Sequence, residues 1–391
     1  MTNKPPFAGE GARRVRLGDI ASVKAGNVAP KKGLFSERGI PFVRAGSLSR
    51  LLDGESPRSL ERIDKMTADK LGMQLFPEGT ILFAKSGMSC MTGNVYVLKE
   101  PCYVVSHLAC VAIDNTELTL YLKHYFRWNK PNALVENPSF PSIRLGKIKD
   151  MEIRLPDARQ IARWVSTLER IEGLMETHEH QLSLLDDLVK SRFVEMFEKS
   201  ASLKMVRLKD VCSVITDGTH QSPKFQSEGV PFLFVSNIAN NELTYETSKY
   251  ISLDDYETLI KRTPIEIGDI LVSAVGSFGH PAIVKDERPF CFQRHIAYLK
   301  PRQEKVNSVF LHSALLSDGA QRYMDSAAKG VAQRTVTLNS FKELVIPLPP
   351  LSLQREFAAF AVEVDKSRVV VQKQIERLQT LYDSLAQEYF G

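Results

Sequence analysis

Few residue patterns in this chain have the types and spacing to do chemistry. Asn137-Pro138-Ser139-Phe140 could grip an extrahelical adenine through the asparagine amide and a neighbouring carbonyl. Its third residue is Ser139, and no glycine loop for S-adenosylmethionine precedes it, so the segment reads as a turn. His178 and His180 stand two apart in a helical stretch and face different sides, which argues against a shared metal. His178 reads as a partly buried, hydrogen-bonded histidine. The phosphate-cradling G-x-x-x-x-G-K-[ST] and the zinc-binding H-E-x-x-H are missing, and Val275–His280 has only the outline of a dinucleotide loop. No glutamate is followed two positions later by lysine, as the end of a common nuclease motif requires. Cys90, Cys102, Cys110, Cys212 and Cys291 form no C-x-x-C pair and read as reduced thiols. A chain with no catalytic residue, no metal and no directly bound cofactor is expected.

The elements that must position any site come in duplicate. Val15–Ile20 recurs as Val206–Val211, Gly39–Val43 as Gly229–Leu233, and Gly79–Leu82 as Gly268–Leu271. Gly87 matches Gly276, His107-Leu108-Ala109 matches His295-Ile296-Ala297, and Leu155-Pro156 matches Leu348-Pro349. The offset stays between 188 and 193, so the chain holds two copies of one unit of about 190 residues. Each copy opens with some 150 residues of mixed pattern. Short apolar runs such as Thr80–Ala84 and Asp269–Val275, bounded by Gly and Pro, predict buried strands, and Leu118–Trp128 predicts a helix.

Each copy closes with a long helix. Ile161, Leu168, Met175, Leu182, Val189 and Met196 lie seven apart, flanked by Trp164, Ile171, His178 and Leu185; only Gly173 interrupts the run. Phe357, Val364, Val371, Leu378 and Leu385 repeat the spacing, with Ala361, Ile375 and Tyr382 beside them. A repeat of seven sustained this long predicts a coiled-coil seam, with each helix about 60 Å long. The expected domains are 1–157, 158–200 (central helix), 201–350 and 351–391 (distal helix). Net charge is +5 over 391 residues, distributed as +7 in 1–157, −2 in 158–200, +1 in 201–350 and −1 in 351–391. The first segment is basic enough for a polyanion partner. No run of about 18 apolar residues predicts a membrane span, and Arg13, Arg14 and Arg16 are not followed by a signal-type apolar stretch.

Leu185–Phe197 resembles the end of the central helix of the specificity subunits of type I restriction-modification systems, and Ile346–Phe357 resembles the entry to their distal helix. Thr216-Asp217-Gly218-Thr219-His220 and Gln293–Ala297 resemble recurrent segments of the family's target-recognition domains, and Leu381–Leu385 resembles its ending. The first copy departs: Leu155-Pro156-Asp157 lacks a second proline, and no Asp-Gly-Thr-His follows Val23. The resemblance implies an α+β protein with a pseudo-two-fold internal repeat. Its two similar α/β target-recognition domains would be joined by two long antiparallel helices forming a coiled coil. It implies a non-catalytic, cytoplasmic prokaryotic subunit that reads a bipartite site in double-stranded DNA, one half per domain. The implied partners are two modification subunits, which carry S-adenosylmethionine, and restriction motor-nuclease subunits.

On that footing, candidate DNA contacts are loop residues able to meet phosphates or base edges. In the second domain they are Thr219, His220, Gln221, Ser222 and Lys224 before Phe225, Asn237 after the strand Phe232–Ser236, and Gln333, Arg334 and Thr335 in the loop led by Gly330. In the first they are Lys31, Lys32, Arg44, Ser47 and Arg144. Lys85 and Ser86 are taken to parallel Ser273 and Ala274. Gln293-Arg294-His295 and its partial match Ser106-His107 are expected to be structural, the imidazole bonding a turn.

Overall fold

A computed structural model describes residues 12–198, 203–221, 223–330 and 333–391. The chain divides into two compact units, residues 1–178 with 374–391, and residues 179–373.

In the first unit Ser22–Ala25 pairs with Leu108–Ala112, that strand with Ile81–Ala84, and that one with Val95–Val97, all antiparallel. Ile40–Val43 lies antiparallel to Arg62–Ile63 and parallel to Cys102–Val104. Arg13–Arg16 pairs with Glu152–Leu155. The second unit repeats this order: Cys212–Asp217, Ile296–Pro301, Ile270–Ser273, Pro281–Ile283. There Val230–Leu233 lies antiparallel to Tyr250–Ile251 and parallel to Cys291–Phe292, and Met205–Arg207 pairs with Val345–Pro347. One strand breaks the match. Leu75–Phe76 pairs with Cys102–Tyr103 in the first unit, and no strand among the described residues of the second plays that part. The strands predicted over Thr80–Ala84 and Asp269–Val275 are Ile81–Ala84 and Ile270–Ser273, fully buried as their unbroken apolar character requires. The predicted helix over Leu118–Trp128 is Thr116–Trp128, capped by Asn115.

The two long helices are Ala158–Phe193, continued by a π-helical turn over Val194–Glu198, and Leu351–Phe390. Their sevenfold rows face inward. Ile161, Leu168, Phe357 and Val364 are buried, and Met175, Leu182, Val189, Val371, Leu378 and Leu385 are half-buried. In the first unit the start of the central helix meets the end of the distal one: Trp164 stacks on Tyr389, ring centroids 4.5 Å apart, and Phe390 sits edge-on to Tyr121 at 5.5 Å. In the second unit the end of the central helix meets the start of the distal one. Phe193 and Phe197 pack on Phe357 at 5.5 and 5.6 Å, and Arg368 Nε lies 3.4 Å from Asp186 Oδ1. Start against end in both units makes the pair antiparallel. Trp164 and Phe357, like Phe197 and Phe390, stand 193 apart, so the repeat seals each unit with aromatic rings at equivalent places.

Gly173 sits inside the central helix, and a Cβ there would meet nothing within 4 Å. Gly173→Ala should therefore stabilise the protein by about 0.5–1 kcal/mol. Thermal unfolding checks this: an unchanged or lowered midpoint would mean the helix bends at that residue.

Candidate nucleic-acid interface

Each unit gathers its loop residues around one tight turn. In the second unit the chain leaves Cys212–Asp217 and crosses the turn that links Cys291–Phe292 to Ile296–Pro301. Thr219 N donates to Phe292 O (3.0 Å), and Arg294 N donates back to Thr219 O (3.0 Å). The same turn holds the end of the next strand, as Ala274 N donates to His295 O (2.9 Å). A further loop attaches to that strand end through Gly276 N to Arg334 O and Val336 N to Ala274 O (2.9 and 2.8 Å). The first unit builds the same cluster. Asn27 N donates to Val104 O (2.6 Å), Ser106 N to Asn27 O (2.7 Å) and Lys85 N to His107 O (2.9 Å). Gly87 N donates to Pro141 O and Ile143 N to Lys85 O (3.0 and 2.7 Å). The crossing demands glycine. A Cβ on Gly218 would lie 2.2 Å from Phe292 O, and one on Gly26 2.3 Å from both Val104 O and Val105 O.

This geometry brings together Thr219, His220, Gln221, Gln333, Arg334 and Thr335 in one unit, and Lys85, Ser86 and Arg144 in the other. Lys31, Lys32, Lys224 and Arg144 are exposed, and none of them is ion-paired among the described residues. Ser222 lies outside the described residues. Arg334 donates to Asp325 Oδ1 (2.7 Å) and sits over the Phe278 ring at 5.2 Å. Arg44 donates to Glu61 (2.6 Å) and covers Phe35 and Phe42. Its charge is largely answered within the fold.

Three candidates are corrected. Asn237 is buried: its Oδ1 accepts from Phe234 N (2.9 Å) and its Nδ2 donates to Glu246 O (2.8 Å), so the amide closes a helical turn. Ser47, at the same place in the first copy, is buried with its N bonded to Arg44 O. Ser273 is fully buried in its strand. The shared bond to the histidine carbonyl sets Lys85 opposite Ala274, not Ser273, and a one-residue slip along a strand exchanges the inner face for the outer. The His107 ring contacts a side chain, its Nδ1 lying 2.8 Å from Ser86 Oγ. Sequence reasoning passed over Asp217, whose carboxylate meets His220 Nε2 at 2.9 Å and Arg262 Nη2 at 2.7 Å. It also passed over Arg262 itself, 45 residues away, which no local pattern could link to it. Asn137 forms a turn: Ser139 N donates to its Oδ1 (3.0 Å), and Phe140 is exposed. His178 is half-buried. All five cysteines are free and buried, and burial pushes Cys102, Cys212 and Cys291 up to about 12.

One titratable cluster lies away from these loops. His124, fully buried, has Nε2 2.7 Å from Glu169 Oε1 and Nδ1 2.8 Å from the Tyr382 hydroxyl of the distal helix. His124, Glu169 and Glu172 have the ligand types for a cation. However, Lys123 Nζ reaches both carboxylates, 2.7 Å from Glu172, and Arg127 also pairs with Glu172. Two cations already balance two anions, so the group acts as a clasp for the distal helix. Burial depresses His124, against the opposing hydrogen bond to Glu169. Burial raises Glu169, but hydrogen bonds from His124 and Lys123 outweigh it and hold that carboxyl at about 2. Both shifts are downward, so the unfolded chain takes up each proton first and stability is lost as pH falls. The His124 contribution is complete above 6.5 and lost below it, by at most about 1.4 kcal/mol per pH unit. The Glu169 contribution drains from 4.5 towards 2. Unfolding followed from pH 7.5 to 4 should show the first loss starting near 6.5, and His124→Gln should reduce that step without abolishing it, because burial depresses His312 and His295 as well.

The family model for the type I restriction modification DNA specificity domain matches this chain twice, over residues 10–184 and 202–379. The EcoBI specificity subunit of Escherichia coli is 26% identical over 160 residues, 41% of this chain and 34% of that protein. The MjaIX specificity subunit of Methanocaldococcus jannaschii is 28% identical over 178 residues, 44% of this chain and 40% of that protein. The matched stretch thus spans about a third to two fifths of these relatives' length. In fold, the chain resembles the S subunit of a type I system from M. genitalium (TM-score 0.55, 14% identity, covering 100% and 99% of the two chains). It also resembles a chain from a study of complex assembly and conformational transition in the type I R-M system (TM-score 0.53, 19% identity, covering 97% and 98%). Among the described residues no helix is long and apolar enough to cross a membrane. With a topology built twice, and a family match on each copy, the chain belongs to the type I restriction-modification DNA specificity family.

Proposed function

We propose that this chain is the non-catalytic DNA-reading subunit of a type I restriction-modification complex in a prokaryotic cytoplasm. Each globular domain reads one block of a split site in double-stranded DNA. The helix pair sets the unread gap between the blocks and docks two modification subunits, which bring S-adenosylmethionine and methylate adenine. Motor-nuclease subunits join to cut unmethylated DNA. The observation that carries this reading is the loop cluster built twice on one backbone plan with different side chains: Lys85, Ser86 and Ser142 in one copy stand where Ala274, Val275 and Thr335 stand in the other. A shared frame with divergent tips is what two independent readers of different sequences require. Basic loop residues would supply salt-dependent phosphate contacts.

Replacing residues 201–350 by the corresponding domain of another specificity subunit, then mapping methylated adenines in a host genome, tests the reading. One half of the recognised sequence should change and the other persist. Alteration of both halves would rule out independent readers.

A further inference from the structure

The tip of the crossing differs between the two copies in a way that the shared backbone isolates. In the second domain Asp217 is 14% exposed and grips two outward donors, His220 through Oδ2 and Arg262 through Oδ1. Those donors border a cavity of about 370 Å³, lined also by Thr219 and Phe292. In the first domain Ala25 replaces Asp217 and Val28 replaces His220, at the same offset of 192 that relates Gly26 to Gly218. The neighbouring Asn27 is occupied, its Nδ2 donating to Gln74 O and its Oδ1 accepting from Gln74 N (2.8 and 2.7 Å). Val28 is left as the outward group and is 85% exposed, more than any other large apolar residue among the described residues.

Resting on the DNA-reading function above, the geometry points to this tip as a base-reading position in both domains: Asp217 positions Arg262 and His220 to read a guanine in one half-site, and Val28 meets a thymine methyl in the other. A phosphate contact needs only free positive charge, which Asp217 partly cancels. What the pairing adds is direction. An arginine anchored through one nitrogen keeps its remaining N–H groups aimed, and a planar fork fits the O6 and N7 acceptors of guanine. An exposed valine has no polar edge to offer, and in the major groove the thymine methyl is its complement. Asp217 is here a positioning residue, acting through Arg262 and His220.

The test is selection from a randomised duplex library by the full chain with its modification subunits, comparing wild type with Arg262→Gln, Arg262→Lys, Asp217→Asn and Val28→Ser. Arg262 is half-exposed, so its variants should fold. Arg262→Gln and Arg262→Lys should each cost about 10- to 100-fold in discrimination at one position of the half-site assigned to the second domain. Arg262→Lys should leave the salt dependence unchanged, because the charge is kept. Asp217→Asn should weaken the same position, and Val28→Ser one position in the other half-site. Loss of affinity equally on all sequences, or restored discrimination with lysine, would identify a charge contact and overturn the inference. Unchanged preferences with a bipartite wild-type site would overturn it alone, whereas a wild type without sequence preference would overturn the proposed function too.

Discussion

Gly218→Ala should cost on the order of 3 kcal/mol and abolish discrimination in the half-site read by the second domain while sparing the first. The added methyl would meet Phe292 O at 2.2 Å and Gln293 O at 2.5 Å. Both are backbone atoms of the turn on which the whole loop cluster hangs, so neither can rotate aside. Relief requires moving Asp217–His220 off the turn, which breaks the bonds from Thr219 N to Phe292 O and from Arg294 N to Thr219 O. Gly26→Ala should do the reverse, striking Val104 O and Val105 O and silencing the first half-site. Gly33 is the control. It lies in the turn after Gly26 with nothing within 4 Å of its Cβ position, so Gly33→Ala should stay within about 0.5 kcal/mol. Thermal unfolding and the methylation pattern of the assembled complex read the two effects. A Gly218→Ala protein with normal stability and an unchanged motif would show that the crossing is not what holds the reading loops.

The glycines also mark what could be read from the sequence. Gly39, Gly79, Gly87 and their counterparts are local signals, as are the sevenfold helical rows, and those signals carried the repeat and the long helices, whereas the match of Gly26 to Gly218 emerged only in the folded chain. Strand order was not legible, because strands of two to six residues pair across long separations and leave no local trace of their partners. The site was legible in its loops and misread in its registers. Asn237 and Ser47 follow strands and are polar, which reads as exposed, yet the Asn237 amide is spent on closing a helical turn and Ser47 is buried at the start of a helix. Ser273 was misplaced by a single residue because the repeat offset drifts between 188 and 193 as loops differ in length. Arg262 could not be tied to Asp217 at all: ion pairs between distant segments exist only once the chain is folded.

Inserting one heptad into both long helices should lengthen the unread gap by about three base pairs. Seven residues add about 10.5 Å of helix, and B-DNA rises about 3.4 Å per step. A whole heptad keeps the apolar row in place, so Met175, Leu182, Val371 and Leu378 retain their inward faces. Insertion in one helix alone would leave seven residues unmatched in an antiparallel pair, and that protein should lose binding, not shift its gap. Three base pairs also turn the second block about 100° around the duplex. Affinity should therefore fall even where the new spacing is found, in keeping with the way half-site spacing follows dimer geometry in smaller DNA readers. Selection from duplexes carrying both blocks at variable separation reads the outcome directly. A preferred spacing unmoved by the double insertion would mean that the helices do not measure the gap, and that the modification subunits or the DNA must do so instead.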